Sequence, residues 1–226
     1  MNRKDSFKII IIFDNKCVNE GYLSGFGFSA LIYNKLSNTY LLFDTGGDGG
    51  VLLHNIRNAG VDPTQIAKVI VSHNHYDHAG GLASVYTQNP HIKLYIPHAI
   101  KKYKRNYPEA EVVMHTELEE IDEAVFVSGQ FGTSIKEQAL FCKTTRDTFV
   151  LLVGCTHPGL EQFIMKARQM GKIEAVIGGF HGFRKLSYLK GIDFIGACHC
   201  TSYMHQIHSK FPEQFKKVCV GDYFLF

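Results

Sequence analysis

The stretch Lys68-Val69-Ile70-Val71-Ser72-His73-Asn74-His75-Tyr76-Asp77-His78-Ala79-Gly80-Gly81-Leu82 decides the fold. It opens as a short apolar run suited to a strand, then packs three histidines and an aspartate into six residues. In an extended segment alternate residues share a side, so His73 and His75 aim at one point. Asp77 and His78 follow the turn and can face a second point beside the first. Neutral imidazole and carboxylate suit zinc, iron or manganese. Gly80 and Gly81 lack a Cβ, which permits close approach of a helix start to the site. A loop of merely polar histidines would not be expected to gather them at ligand spacing directly after a strand.

Upstream, Phe7-Lys8-Ile9-Ile10-Ile11-Ile12-Phe13 reads as a buried first strand, too short for a signal core or a membrane span. Phe28 to Tyr33 and Tyr40 to Phe43 are β-prone runs joined by a hairpin turn, and the second stops at Asp44-Thr45-Gly46-Gly47. Val51 to Ala59 carries Leu52, Leu53 and Ile56 at helical spacing with Gly60 as its cap, and Pro63 opens another short helix. Downstream come a glycine-started helix, a strand near Lys93 to Ile96, and two charge runs read as solvated faces: Lys101 to Arg105, and Glu117, Glu119 and Glu120. Ala139 to Cys142, Phe149 to Val153, Glu174 to Ile177, Phe194 to Ala197 and Val218 to Phe226 read as strands. Leu160 to Met170, capped by Gly171, and Ser202 to Phe211 read as helices. Two similar halves of strands and helices predict an α+β fold: an αββα sandwich of two packed mixed sheets with helices on the outer faces.

At 226 residues with 45% hydrophobic content, the chain fits one domain, residues 1–226, with a sizeable core. Its formal charge of +3 favours small anions over nucleic acid. The six cysteines show no CxxC pair, so free thiols in a cytoplasmic protein are expected.

The HxHxDH signature, with Asp44-Thr45-Gly46 before it, resembles the metallo-β-lactamase superfamily. The later motifs Gly154-Cys155-Thr156-His157-Pro158-Gly159, Gly178-Gly179-Phe180-His181 and His199-Cys200-Thr201 follow in order. That series resembles a narrower group, named for 7,8-dihydropterin-6-methyl-4-(β-D-ribofuranosyl)aminobenzene-5′-phosphate synthase, from about Phe28 to the end. The resemblance implies two divalent transition-metal ions, zinc first and manganese or iron as alternatives. It implies His73, His75 and His157 as ligands of one, and Asp77, His78 and His199 as ligands of the other. Asp77 is also expected to help hold an attacking water.

Other positions stay open. Many superfamily members place an aspartate between the metals after a Gly-Asp strand end, whereas Gly154 is followed here by Cys155. Cys155 can ligate, stand behind the ligands or simply pack, and it is kept outside the ligand set. Group members tend to carry glycine after His-Cys-Thr, and this chain has Ser202. His181 is either a substrate contact or a packed histidine. Asp44 either orients a ligating imidazole or caps a turn.

The expected activity is that of a metal-dependent enzyme on a phosphorylated small molecule, its most specific form a pterin-linked synthase releasing diphosphate. The alternatives are a general metallo-hydrolase of phosphodiesters, lactones or thioesters, and a catalytically silent metal or ligand sensor. A small anionic substrate is the expected partner, with no nucleic acid and no membrane; self-association is left open. A nuclease would want a clamping domain or a basic stripe, and a di-iron oxygen reductase a flavin domain.

Overall fold

An uninterrupted apolar strand can be buried only where both of its faces are covered. In the computed structural model, which describes residues 5–15 and 18–226, the first such run forms β1 (Phe7–Phe13). Phe7, Ile9 and Ile11 enter a core between two sheets, while Ile10, Ile12 and Phe13 enter a second core beneath helices.

The first sheet continues through β2 (Ser29–Asn34) and β3 (Thr39–Phe43), both antiparallel to their predecessors. Then β4 (Ile66–Ile70), β5 (Lys93–Tyr95) and β6 (Glu111–Val113) add on in parallel. The second sheet repeats the plan. Its antiparallel part is β7 (Glu119–Asp122), β8 (Val125–Val127) and β9 (Leu140–Lys143). β10 (Thr148–Val153) pairs antiparallel with β9, and β11 (Lys172–Gly179), β12 (Phe194–Cys198) and β13 (Phe215–Lys217) follow in parallel. β14 (Tyr223–Leu225) returns to the edge of the first sheet beside β1.

Six helices complete the described residues: α1 (Gly49–Asn58), α2 (Tyr76–Ala79), α3 (Leu82–Gln88), α4 (Ile100–Asn106), α5 (Leu160–Arg168) and α6 (Met204–Lys210). Leu52 and Ile56 of α1, Leu82 and Val85 of α3 and Tyr103 of α4 cover the outer face of the first sheet. Leu160, Phe163 and Ile164 of α5 and Ile207 of α6 cover the second. The expected αββα sandwich is the fold observed. α1 starts where Asp48 accepts the Val51 amide, and beyond its end Gly60 turns left-handed at φ +79°. Asp62 and Gln65 form a reciprocal capping box around the 3-10 turn that Pro63 opens.

Both charge runs are solvated, as expected, and each lies on or beside a regular element. The basic run Lys101 to Arg105 lies in α4, which buries Tyr103 and exposes its lysines. The acidic run contains a strand, β7, that exposes Glu119 and Glu120 while burying Ile121. The closing strand is shorter than Val218 to Phe226, because Gly221 turns the chain at φ +89° before β14 begins. Cys142, Cys155, Cys198 and Cys200 are in no disulfide, but Cys219 is disulfide-bonded, against the expectation of free thiols. Cys17 lies outside the described residues. Among the described residues no helix is long and apolar enough to cross a membrane.

Candidate metal centre

The conspicuous histidines collect where strands of both sheets end. β4 delivers His73, β10 delivers Cys155 and His157, β11 delivers His181 and β12 delivers His199. Asp44, Thr156, His181 and His199 all have left-handed backbones, at φ 59°, 62°, 40° and 48°. Each such residue costs about 1–3 kcal/mol and persists only where its surroundings enforce it. Two of the enforcing contacts are visible: the Asp44 amide donates to the Ile70 carbonyl at 2.8 Å, and the His199 amide to Asp14 Oδ1 at 2.7 Å.

Glycines bring the turns together. A Cβ on Gly81 would stand 2.3 Å from the Thr45 carbonyl oxygen. One on Gly27, itself at φ +142°, would stand 2.3 Å from the carbonyl oxygen of Asp77. The close approach expected of the Gly80-Gly81 pair is thus an approach to the Asp44-Thr45-Gly46 turn, whose Thr45 amide donates to the His78 carbonyl at 2.8 Å.

Behind the imidazoles runs a layer of oxygens that fixes which ring nitrogen faces inward. Asp44 is fully buried and accepts from the Ser72 amide (2.6 Å), the Ser72 hydroxyl (2.7 Å) and His78 Nδ1 (2.7 Å). Burial pushes its carboxyl upward, and the two Ser72 donors act against that rise. Since Ser72 donates its proton to Asp44, its oxygen accepts from His73 Nδ1 at 2.9 Å. Glu137 holds the third histidine. Its Oε2 accepts from both the amide and Nδ1 of His157, at 2.8 and 3.0 Å, and its Oε1 from the amides of Cys155 and Thr156, at 2.9 and 2.7 Å. His199 Nδ1 donates to Asn15 Oδ1 at 2.9 Å. In each of these four rings Nδ1 is engaged, so Nε2 presents its lone pair to the interior.

Two groups of donors result. In one, ligand atoms of His73, His75 and His157 lie within 4.8 Å of one another; in the other, those of Asp77, His78, Cys155 and His199 do. His73 and His78 form the shared wall, their ring centroids 4.1 Å apart. His78 Nε2 is 3.2 Å from His199 Nε2 and 3.1 Å from Cys155 Sγ, and Asp77 Oδ2 is 3.2 Å from His199 Nε2. Lone pairs and a carboxylate so close repel unless a positive charge sits among them. Ligands at zinc–nitrogen distances of 2.0–2.1 Å in a tetrahedron would be roughly 3.3 Å apart, so these spacings and this donor set suit a divalent cation.

Protonation favours the same conclusion for two of the rings; in His157 and His199 burial acts to lower the ring, but Glu137 and Asp77 outweigh it and raise it, so a cation there would displace a proton. Burial, reinforced by neighbouring imidazoles, pushes His73 down to about 2 and His78 down to about 3, so both stay neutral as ligands must. Burial acts to raise the Asp77 carboxyl, but with no cation bound a proton on His199 Nε2, donated to it, and the adjacent imidazoles outweigh burial and hold it below its usual range; a cation would replace that proton and meet the ring's lone pair. Glu137 follows the same pattern: burial opposes ionisation, His157 and the backbone amides offset it, and the group sits at about 2.

The structure therefore brings together His73, His75, His157, Asp77, His78 and His199, and puts Asp44 behind His78. Cys155, expected outside the ligand set, has its sulfur inside the second group. His181 is not in either group; its ring centroid is 5.2 Å from that of His157, in a cleft it shares with Phe183, Arg184 and Lys185. A second cleft, on the His75 side, is lined by Asn74, Tyr76, Lys102, Tyr103 and Tyr107. Sequence reasoning missed Glu137, Asp14 and Asn15. Asp14 ends the β1 run, so an acid after an apolar strand, as at Asp44, was a usable signal; Glu137 gave none.

The Metallo-beta-lactamase superfamily model matches residues 24–182. An uncharacterised protein of Methanocaldococcus jannaschii is 27% identical, the match covering 86% of this chain and 91% of that one. The same organism's 7,8-dihydropterin-6-methyl-4-(beta-D-ribofuranosyl)-aminobenzene-5′-phosphate synthase is 24% identical, covering 96% and 94%. Among solved structures, the metallo-beta-lactamase fold protein YhfI from Bacillus subtilis superposes with a TM-score of 0.72 at 12% identity, over 99% of this chain and 100% of that one. The short form of human tRNase Z superposes with a TM-score of 0.61 at 11% identity, over 96% and 98%. At such identities these two likenesses speak for the fold alone.

Proposed function

The chain belongs to the metallo-beta-lactamase superfamily, and on that premise we propose that it is a metal-dependent enzyme acting on a phosphorylated small molecule. His73, His75 and His157 would hold one divalent cation, and Asp77, His78 and His199 a second, zinc being the first choice for both. Bound there, such a pair polarises a phosphoryl or carbonyl oxygen and offsets the charge of a diphosphate. The observation that carries the reading is the inward lone pairs of four imidazoles, each fixed by an oxygen behind it.

The chain's own side chains supply the rest. Asp77, ionised across the working pH range, would hold a proton of the attacking group at its carboxylate. His181 would donate to a non-bridging oxygen of the substrate. Arg184 lies over the Tyr203 ring, 4.4 Å from its centroid, while Lys185 is neutralised by Glu161 at 2.7 Å, so the cleft beside His157 has a rim whose positive charge comes from Arg184. That rim favours a small anion rather than RNA, consistent with a net charge of only +3. The name of the 24% identical relative supports a pterin-linked synthase, a transfer that releases diphosphate, as the most specific form.

A panel of phosphodiesters, lactones, thioesters and pterin diphosphates, assayed with and without inorganic phosphate and diphosphate, tests this. Turnover of a phosphate-bearing compound with competition at millimolar diphosphate is expected, and His181→Ala should weaken substrate handling while metal content stays unchanged. Turnover of a lactone or thioester, indifferent to both anions, would replace this reading with a general hydrolase.

A further inference from the structure

Four cysteines among the described residues are outside any disulfide, and their settings differ. Cys142 and Cys198 belong to the apolar core between the sheets, packed among residues such as Leu140, Val150 and Ile177. Cys155 is just as buried, 4% exposed, yet belongs to none of the three hydrophobic clusters. Its sulfur instead faces His78 Nε2 at 3.1 Å, in the group that also contains Asp77 and His199. Its backbone is fixed at the end of β10, where Glu137 Oε1 accepts both its amide and that of Thr156. A buried thiol that merely fills space has no need of that anchorage or of three polar neighbours.

We propose that Cys155 is the fourth ligand of the second centre, making the two centres different in kind. Asp77, His78, Cys155 and His199 supply four protein ligands, the full complement of a closed tetrahedral zinc site. His73, His75 and His157 supply three, which leaves a position there for an exchangeable ligand. The first centre is then where a substrate oxygen enters, next to His181, and the second contributes fixed charge. A thiolate also selects the metal, favouring zinc or iron over manganese at the second centre. On binding, the Cys155 thiol would release its proton to solvent. This inference rests on the reading that the cluster holds metal, and is independent of which substrate is turned over.

X-ray absorption at the metal edge of wild-type protein loaded with two equivalents of zinc is the test, with elemental analysis on the same sample. The expected result is a sulfur shell at about 2.3 Å amounting to one sulfur per two metals. In cobalt-loaded protein the matching sign is a near-ultraviolet thiolate-to-cobalt band, lost in Cys155→Ser and kept in Cys200→Ser. Two bound metals surrounded only by nitrogen and oxygen would overturn the inference and leave the functional reading standing. A band lost in Cys200→Ser and kept in Cys155→Ser would transfer the role to the wrong sulfur and overturn it equally. A wild-type chain that binds no metal at all would remove both.

Discussion

Glu137 shows how much of the centre is made by residues that would touch no metal. One buried carboxylate collects four hydrogen bonds and, through them, fixes the ring of His157 and the backbone that presents Cys155. Glu137→Gln keeps the shape and removes the charge, so His157 becomes a poorer ligand. Loss of such a partner typically weakens metal binding by about 10–100-fold. Chelator competition should show that loss confined to one of the two metals; unchanged affinities would mean Glu137 only braces the loop. The same residue predicts a pH effect. Its carboxyl is held at about 2 against an ordinary 4.5, so it stabilises the fold fully above 4.5 and loses that contribution as pH falls toward 2. With chelator present, acid unfolding of Glu137→Gln should be flatter than wild type over that window, and parallel curves would contradict it. Asp77 is the other residue with a distinct expectation. Asp77→Asn is isosteric and should retain the fold, seen by circular dichroism, while turnover of a validated substrate falls at least tenfold; near wild-type turnover would show that its role lies elsewhere.

Elements position these residues, and the two hairpins that close the sandwich illustrate how. Asp122, in β7 of the second sheet, accepts from Asn34, Ser37 and Thr39 of the β2–β3 hairpin and pairs with Lys68 of β4 at 3.0 Å. Burial works to raise its carboxyl, and the hydroxyls and Lys68 outweigh it, leaving the group below its usual range. Asp122→Asn should therefore destabilise by about 1.5–3 kcal/mol, the usual worth of a hydrogen bond to a charged group, read as a lower urea midpoint. A midpoint within error of wild type would mean that the Asp122 contacts add nothing measurable to the joining of the sheets. The long apolar strands were legible beforehand: β1, β2, β3, β10 and β11 each run five residues or more with dominant buried positions. β6 and β8 are three residues each and β7 four, too short for a period to register, and β7 carries two exposed glutamates that read as solvated charge. α4 was hidden by its lysines in the same way. At the centre, candidate residues grouped in short motifs could be read, whereas Glu137 and Asp14 act across 20 and 185 positions, a distance only the folded chain closes.

At the scale of the molecule, two sheets of the same plan present their parallel-strand ends to one another, and the centre occupies the seam. The first sheet sends in the HxHxDH turn and the second sends in Cys155, His157, His181 and His199, so neither half forms the site alone. Whatever holds the sheets in register holds seven donors in place, so metal binding at this centre would be coupled to folding. On the proposed reading these donors make two metal centres, one of them built by His73, His75 and His157. Elemental analysis of protein purified without chelator, wild type beside the double variant His73→Ala/His75→Ala, tests it most directly. Two transition-metal ions per chain are expected in the wild type and about one in the folded double variant, retained by Asp77, His78, His199 and Cys155. A double variant that still binds both ions would contradict it.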